Sequence, residues 1–451
     1  MDCKKVNGSI SVFLAVSITL IMSFCLVLIE SARENTLLLK ADVVMNAGTQ
    51  SIMAEFSIPL WEKYDLLYVD SRYGKKSTDY TLVKDHFRKY INKNLELGNQ
   101  GWLGLKYNGV QISDILLATD FYGKDFYLQA ALSEKDSMGI SCLEQIKSWF
   151  DKVESTYNMG DFLNGKVIEL EESIEEVNGT EIEVEEDKFE TVYIDNPLDQ
   201  ILSGNILLRQ VISDYSSISD YDMTMQKLAS HRKLEAGTIL DTREDDSIIN
   251  KIFFCQYAKE HFAYYRSENQ DDERMLHCEL EYLIGGKSSD AKNLEIVTAE
   301  LLLLREIDNY LFLLQDELKI LEAHELAVAA TATLVPWLEP VVYQAILIYW
   351  AYEESISDLQ ALFRGESIPL TKLLNLTDAN RLGYEDYLIL LLLLQSRENL
   401  AMRSIDIIEM SLREEDEGFQ MDACIGQAVL SGEFYDSYDK RYSVSGKIQY
   451  Y

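Results

Sequence analysis

The chain has 451 residues, with 76 acidic side chains against 41 basic ones and a formal net charge of −35. So acidic a surface repels nucleic acid and excludes a partner held by phosphate contacts, and its plainest effect is to keep an exposed protein soluble. Six cysteines over this length, with no CxxC pair, exclude a disulfide-dense or zinc-ribbon scaffold.

Ser9 to Ile29 is free of charge, with Lys4 and Lys5 before it and Glu30, Arg33 and Glu34 after it. At about 1.5 Å per residue this run is roughly 30 Å long as a helix, the thickness of a bilayer's hydrocarbon core. It predicts a single transmembrane helix that meets lipid through Ile10 to Ile29. The inside-positive bias puts Met1 to Gly8 in the cytoplasm and the bulk of the chain outside. A cleaved signal peptide would have a shorter apolar region and a small-x-small exit, which Ile29-Glu30-Ser31 meets poorly. A lipoprotein would need a small residue before Cys25, where Phe24 stands. Ser11, Ala15, Thr19 and Ser23 recur every fourth residue and make a small-residue face that a second helix can approach closely. From Glu30 to Phe56 there is no proline, and Leu37, Ala41, Val44, Gly48 and Ile52 recur at spacings of three and four. That is an amphipathic extension of the same helix, ended by Pro59.

The short basic leader, Gly8, the apolar run and the amphipathic continuation resemble the N-terminus of the pseudopilin-like TadE and TadG proteins of tight-adherence (Flp) pilus systems. The segments NGSISVFLAVSITLIMSFCLVLIESARE, LHCELEYLIGGKSSDAKNLEIVTAELLLLREIDNYLFLL, WAYEESISDLQALFRGESIPLTK and YEDYLILLLLLQSRENLAMRSIDIIE are similar to an uncharacterised domain-of-unknown-function family of Gram-positive bacteria, often found with such pilus genes. The resemblance implies a membrane-anchored structural component that contacts other envelope or pilus proteins, with no cofactor. Prepilin-type processing cuts after a glycine and prefers glutamate five residues on. Between Gly8 and Ser9 the cut would have Phe13 at that position, a departure from the pattern.

The expected fold class is α+β: residues 1–58 carry leader, transmembrane helix and amphipathic extension, and a mixed α+β ectodomain follows. Residues 59–165 mix apolar runs with glycine-marked turns, as in WLGLKYNGVQI and FYGKDFYLQAAL. Residues 166–195 alternate acidic and β-branched side chains around Asn178-Gly179, the signal of an acidic hairpin. Residues 196–290 return to α+β character, with FFCQYAKEHFAYY predicted as helix and MLHCELEYLIGG as strand. Residues 291–415 form a large helical subdomain, with periodic runs at Leu294 to Leu318, Ile320 to Ala332, Val341 to Phe363 and Tyr384 to Leu412 and capping candidates Ser289 and Thr377. Residues 416–451 read as C-terminal strands broken at Gly432 and Gly446. A second apolar stretch, Leu326 to Trp350, holds Pro336, Glu339 and Pro340 at its middle. A charge at the bilayer centre costs about 2.5–3.5 kcal/mol, so two short buried helices with a kink fit better than a second span.

Catalytic signatures are lacking. His324-Glu325 opens like a metalloprotease helix without its second histidine, and Gly286-Lys287-Ser288 ends like a phosphate loop without its first glycine. Ser230 to Lys233 and Ser289 to Lys292 satisfy Ser-x-x-Lys, a pattern expected by chance. His86, His231, His261, His277 and His324 are scattered. Cys142, Cys255, Cys278 and Cys424 read as buried small side chains, with one disulfide left open. The reading is a pseudopilin-like structural component without enzymatic chemistry. A surface hydrolase would instead show two convergent carboxylates in a cleft, and an adhesive or ligand-binding module an aromatic-lined groove.

Overall fold

The computed structural model describes residues 6–75, 80–96, 101–135, 137–158, 165, 168, 172, 181–185, 188–191, 204–212, 218–239, 247–267, 274–332, 338–373 and 381–450. The fold is mixed α+β, with a long apolar helix at the N-terminus and strands at the C-terminus. The chain divides into two compact units, residues 1–121, 234–242 and 416–451 in the first and residues 122–233 and 243–415 in the second.

In the first unit, helix α1 (Val6–Met53) runs for 48 residues without a proline to interrupt its hydrogen bonds. Pro59 falls in the opening turn of α2 (Ile58–Tyr64), where a missing N–H costs nothing. Strand β1 (Val69–Asp70) precedes α3 (Tyr80–Glu96), whose Val83, Phe87, Ile91 and Leu95 repeat every fourth residue and are buried. Strand β2 (Leu105–Leu117) pairs antiparallel with the long β3 (Cys424–Asp436). The other edge of β3 is shared by β1 and β4 (Arg441–Gln449). Alternation in β4 buries Tyr442, Val444, Gly446 and Ile448, and in β3 Ala428, Leu430, Gly432 and Phe434. The distal part of α1 packs across this face, with Leu37, Ala41, Met45 and Ile52 fully buried in the shared core.

Gly432 and Gly446 are not breaks but interior strand positions. A Cβ on Gly446 would meet Thr49 Cγ2 at 2.6 Å, and one on Gly432 would meet Met45 Sδ at 2.9 Å. The absent side chains let α1 lie close on the sheet. Gly48 does the same on the helical side, where a Cβ would stand 2.8 Å from Ile91 Cδ1.

The second unit is built on helices. Helices α4 (Asp120–Ser133), α5 (Ile140–Asn158) and α6 (Gly204–Val211) are followed by α7 (Ile248–His261), the helix expected at FFCQYAKEHFAYY. Its Phe254 stacks on Tyr127 at 4.7 Å and meets Phe126 edge-on at 5.9 Å. MLHCELEYLIGG is a correction: it forms α8 (Glu279–Gly285), ended by Gly286 at φ 62°. The alternation misled because Glu279 through Ile284 are all buried, so it marks no exposed face. Helices α9 (Asp290–Leu313), α10 (Glu317–Thr331) and α11 (Glu339–Phe363) follow, then α12 (Tyr384–Leu394), buried on every side, and α13 (Arg397–Arg413). Strand pairing between Glu181–Glu185 and Lys188–Thr191 places a hairpin in the acidic segment. Its strands flank residues 186–187, not Asn178-Gly179, which lie outside the described residues.

Leu326 to Trp350 is divided between α10 and α11, with residues 333–337 outside the described set. The expectation of two buried helices fails for α10, which buries Ala323, Ala327 and Thr331 and leaves Leu318, Leu321, Leu326 and Val328 exposed. Among the described residues α1 is the one helix long and apolar enough to cross a membrane. Ser289 stands at the N-cap of α9 without a side-chain cap bond, and Thr377 lies outside the described residues.

Candidate functional site

Helix α1 changes character along its length. From Ile10 to Ile29 its large apolar side chains are exposed on all faces. Ser11, Ala15, Thr19 and Ser23 are exposed there too. The Thr19 hydroxyl donates to Val16 O at 2.9 Å and that of Ser23 to Leu20 O at 2.8 Å, so both polar groups are satisfied within the helix. The backbone of Gly8 and Ser9 is already helical. Beyond Glu30 the helix has one buried face, and Leu37, Ala41, Val44, Gly48 and Ile52 all lie on it. Eighteen residues make about five turns at 3.6 residues per turn, so Thr19 stands in line with Leu37 and Ser23 with Ala41. The small-residue face and the buried stripe are one continuous side of the rod.

The two halves meet at Arg33, whose side chain is fully buried. Its Nη2 donates to Asp436 Oδ2 at 2.8 Å, its Nη1 to Glu30 Oε1 at 2.7 Å and its Nε to Trp102 O at 2.9 Å. The guanidinium also sits 4.5 Å from the Tyr438 ring centroid. Burial disfavours the Arg33 charge, but the bonds to Asp436 and Glu30 outweigh it and its pKa is raised. Burial likewise opposes the Asp436 charge, yet the Lys440 and Tyr438 N–H groups and Arg33 hold that carboxyl below its ordinary value. Lys40 Nζ adds a bond to Leu103 O at 3.3 Å, so two cations of α1 fasten the 101–103 turn.

The second unit carries a cleft of about 540 Å³ between α9, α10 and α11, lined among others by Asn309, Phe312, Lys319, Trp350, Glu354 and Lys372. Lys319 Nζ lies 4.9 Å above the Trp350 ring, and Lys372 Nζ binds Glu354 at 2.7 Å. Beneath it, Arg305 grips Asp358 through Nε at 3.0 Å and Nη2 at 2.8 Å, and Asn309 Nδ2 donates to Ser355 Oγ at 2.9 Å. The Asn309 Oδ1 is buried and has no hydrogen-bond partner. The lining thus combines two aromatic rings, of Phe312 and Trp350, with the amines of Lys319 and Lys372 and the carboxylates of Asp316, Glu353 and Glu354.

Carboxyls raised by burial lie elsewhere. Glu279 and Glu281 are both pushed up to about 7. Glu279 accepts from Ala263 N at 2.7 Å and from Arg274, while Glu281 accepts from Tyr265 N at 2.9 Å and Tyr384 OH at 2.8 Å. They pin the turn after α7 and do not line the cleft. The motif candidates resolve into local structure. The Ser230 hydroxyl donates to Asp406 Oδ2 at 2.5 Å, Asn293 Oδ1 braces Lys287 N at 2.7 Å, and His324 Nδ1 sits 2.9 Å from Glu339. Among the described residues no three His, Cys, Asp or Glu side chains converge as a metal site. Cys25, Cys142, Cys255, Cys278 and Cys424 are free thiols, and Cys142 is exposed where burial was expected.

Residues 187–435, more than half of the chain, match a family of unknown function, DUF5702. The chain belongs to this family. No curated protein and no solved structure matches it. The DUF5702 segment takes in the cleft, the buried acids and nearly all of β3, and it begins well beyond α1. Residues that the sequence reading passed over are Arg33, Trp102 and Tyr438 at the junction and Asn309 and Trp350 in the cleft. Arg33 had a signal, since it stands four residues before Leu37 on the same stripe. The others had none, because their neighbours come from distant segments.

Proposed function

We propose that this DUF5702 protein is a membrane-anchored, pseudopilin-like structural component of a cell-envelope assembly, of the Tad/Flp pilus kind its N-terminus resembles. Ile10 to Ile29 lie in the bilayer, Met1 to Gly8 in the cytoplasm, and the acidic remainder outside, where it contacts other envelope or pilus proteins and no nucleic acid. The observation that carries this reading is the uninterrupted α1. One helix presents apolar side chains on all faces for about the thickness of a bilayer and then supplies a central element of a folded core. A flexible tether needs no such continuity, whereas a part that must hold its body at a fixed position above the membrane does.

Assembly would use the small-residue face. Replacing Ala15 and Thr19 together by leucine adds bulk where a partner's backbone must approach and leaves insertion intact. Crosslinking in native membranes should then lose the adducts that the wild type gives; unchanged adducts would remove assembly through this face.

The Trp350 cleft favours one second reading, a ligand-binding module. Titration with soluble cell-wall oligosaccharides should then change wild-type fluorescence saturably and leave a Trp350→Phe variant silent. No change in either protein would discard that reading for such sugars.

A further inference from the structure

We infer that Trp102 and Tyr438 form an interfacial anchor that seats the first unit in the lipid headgroup layer, clamped there by the buried Arg33–Asp436 pair. This rests on the reading of Ile10 to Ile29 as the membrane span and adds to it a second, non-helical contact with the bilayer.

Depth follows from α1. Arg33 stands four residues beyond Ile29, about 6 Å further along the axis at 1.5 Å per residue. Helical side chains lean back toward the N-terminus, so the guanidinium lies nearer the apolar run than its own Cα. That guanidinium holds the Trp102 carbonyl at 2.9 Å and faces the Tyr438 ring at 4.5 Å. Both aromatic residues are thereby fixed at the level where the hydrocarbon gives way to the headgroup layer, itself roughly 5–7 Å thick on each side.

Both side chains are presented outward. Trp102 is 50% and Tyr438 70% exposed, although each belongs to a segment tied down from beneath. Asp436 Oδ1 accepts from Tyr438 N at 2.8 Å and Lys440 N at 2.9 Å, shaping the turn that displays Tyr438, while its Oδ2 holds Arg33. Tryptophan and tyrosine, with an apolar body and a polar edge, are the side chains that partition into this layer. Around them Glu30, Glu34, Asp436 and Asp439 offset Arg33, Lys40 and Lys440, so the contact rests on the rings and not on attraction to anionic lipid. The occupant is therefore the headgroup layer of a zwitterionic bilayer as readily as an anionic one.

The test uses the full chain reconstituted in phosphatidylcholine vesicles, with wild type compared to Trp102→Phe. This substitution spares the fold, because Arg33 binds the Trp102 carbonyl and not its indole. The Trp102 signal is the difference between the two emission spectra. Lipid brominated close to the headgroup should remove the larger part of that difference, and lipid brominated at the chain end should remove much less. If the protein floats with the vesicles but the difference is quenched by neither lipid, the anchor is wrong and the span stands. If the protein does not float at all, both the span and the anchor are wrong.

Discussion

The two halves of α1 are one helix under two regimes. Before Glu30, apolar side chains surround the axis; after it, a single stripe of Leu37, Ala41, Met45 and Ile52 is buried and the opposite side is left outward. Hydrophobicity changes from uniform to periodic without a break in the backbone, the pattern expected if the surroundings of the helix change from lipid to water and protein. Arg33 marks the changeover, the first buried residue of α1 after the apolar run and paired there with Asp436 and Glu30.

The largest effect is expected from Asp436→Ala, which removes the buried partner of Arg33 and leaves that cation only the half-exposed Glu30. Removing one member of a buried pair costs far more than removing both, because the survivor stays desolvated. The first unit should show the largest fall in urea midpoint of any variant considered, and Arg33→Leu combined with Asp436→Asn, which keeps an acceptor for the Tyr438 and Lys440 N–H groups, should recover part of it. A single variant as stable as wild type would show the pair to be incidental.

Leu37→Ala should cost about 2–5 kcal/mol, the usual range for a buried leucine. Its counterpart Leu14→Ala should leave the same unfolding curve unmoved. Equal effects of the two on stability would mean that the halves are not distinct.

Gly446→Val should cost about 1–3 kcal/mol by forcing Thr49 and the helix away from the sheet. Full stability would show that the close approach is not required.

A smaller effect comes from acid. The folded Asp436 pKa lies below its ordinary value of 3.8, so its contribution is complete above that value and is lost as pH falls through the folded one. Wild type should therefore lose more stability than Asp436→Asn on acidification below about 3.8. A parallel decline in both would assign the acid limb to other carboxylates.

The smallest expected change is in insertion, where Leu14→Ala should lose only about 0.5 kcal/mol on a translocon scale. A large loss would mean that the span is marginal.

How much of this was legible in the sequence depends on the range of the signal. The apolar run of α1, the stripe and the strand alternation of residues 424–449 are local patterns, each set by side chains near one another in the sequence. Gly446 was legible as a glycine but not as a contact, since a turn and a close approach ask for the same residue and Thr49 decides between them. Arg33 and Asp436 are 403 positions apart, and neither carries a mark of the other. Nothing in the order of residues announces that the first and last segments share one unit. MLHCELEY misread because complete burial removes the contrast that periodicity depends on. In the cleft, Asn309 and Trp350 are ordinary helix residues until α9 and α11 bring them together.

On the proposed function, α1 crosses a bilayer once, from a short cytoplasmic leader into an external body. External protease applied to intact spheroplasts expressing the chain with a C-terminal tag tests it most directly. The tag and nearly all the mass should be digested while a small membrane-embedded fragment survives. Survival of the tag at full length would contradict it, and would place the body on the cytoplasmic side.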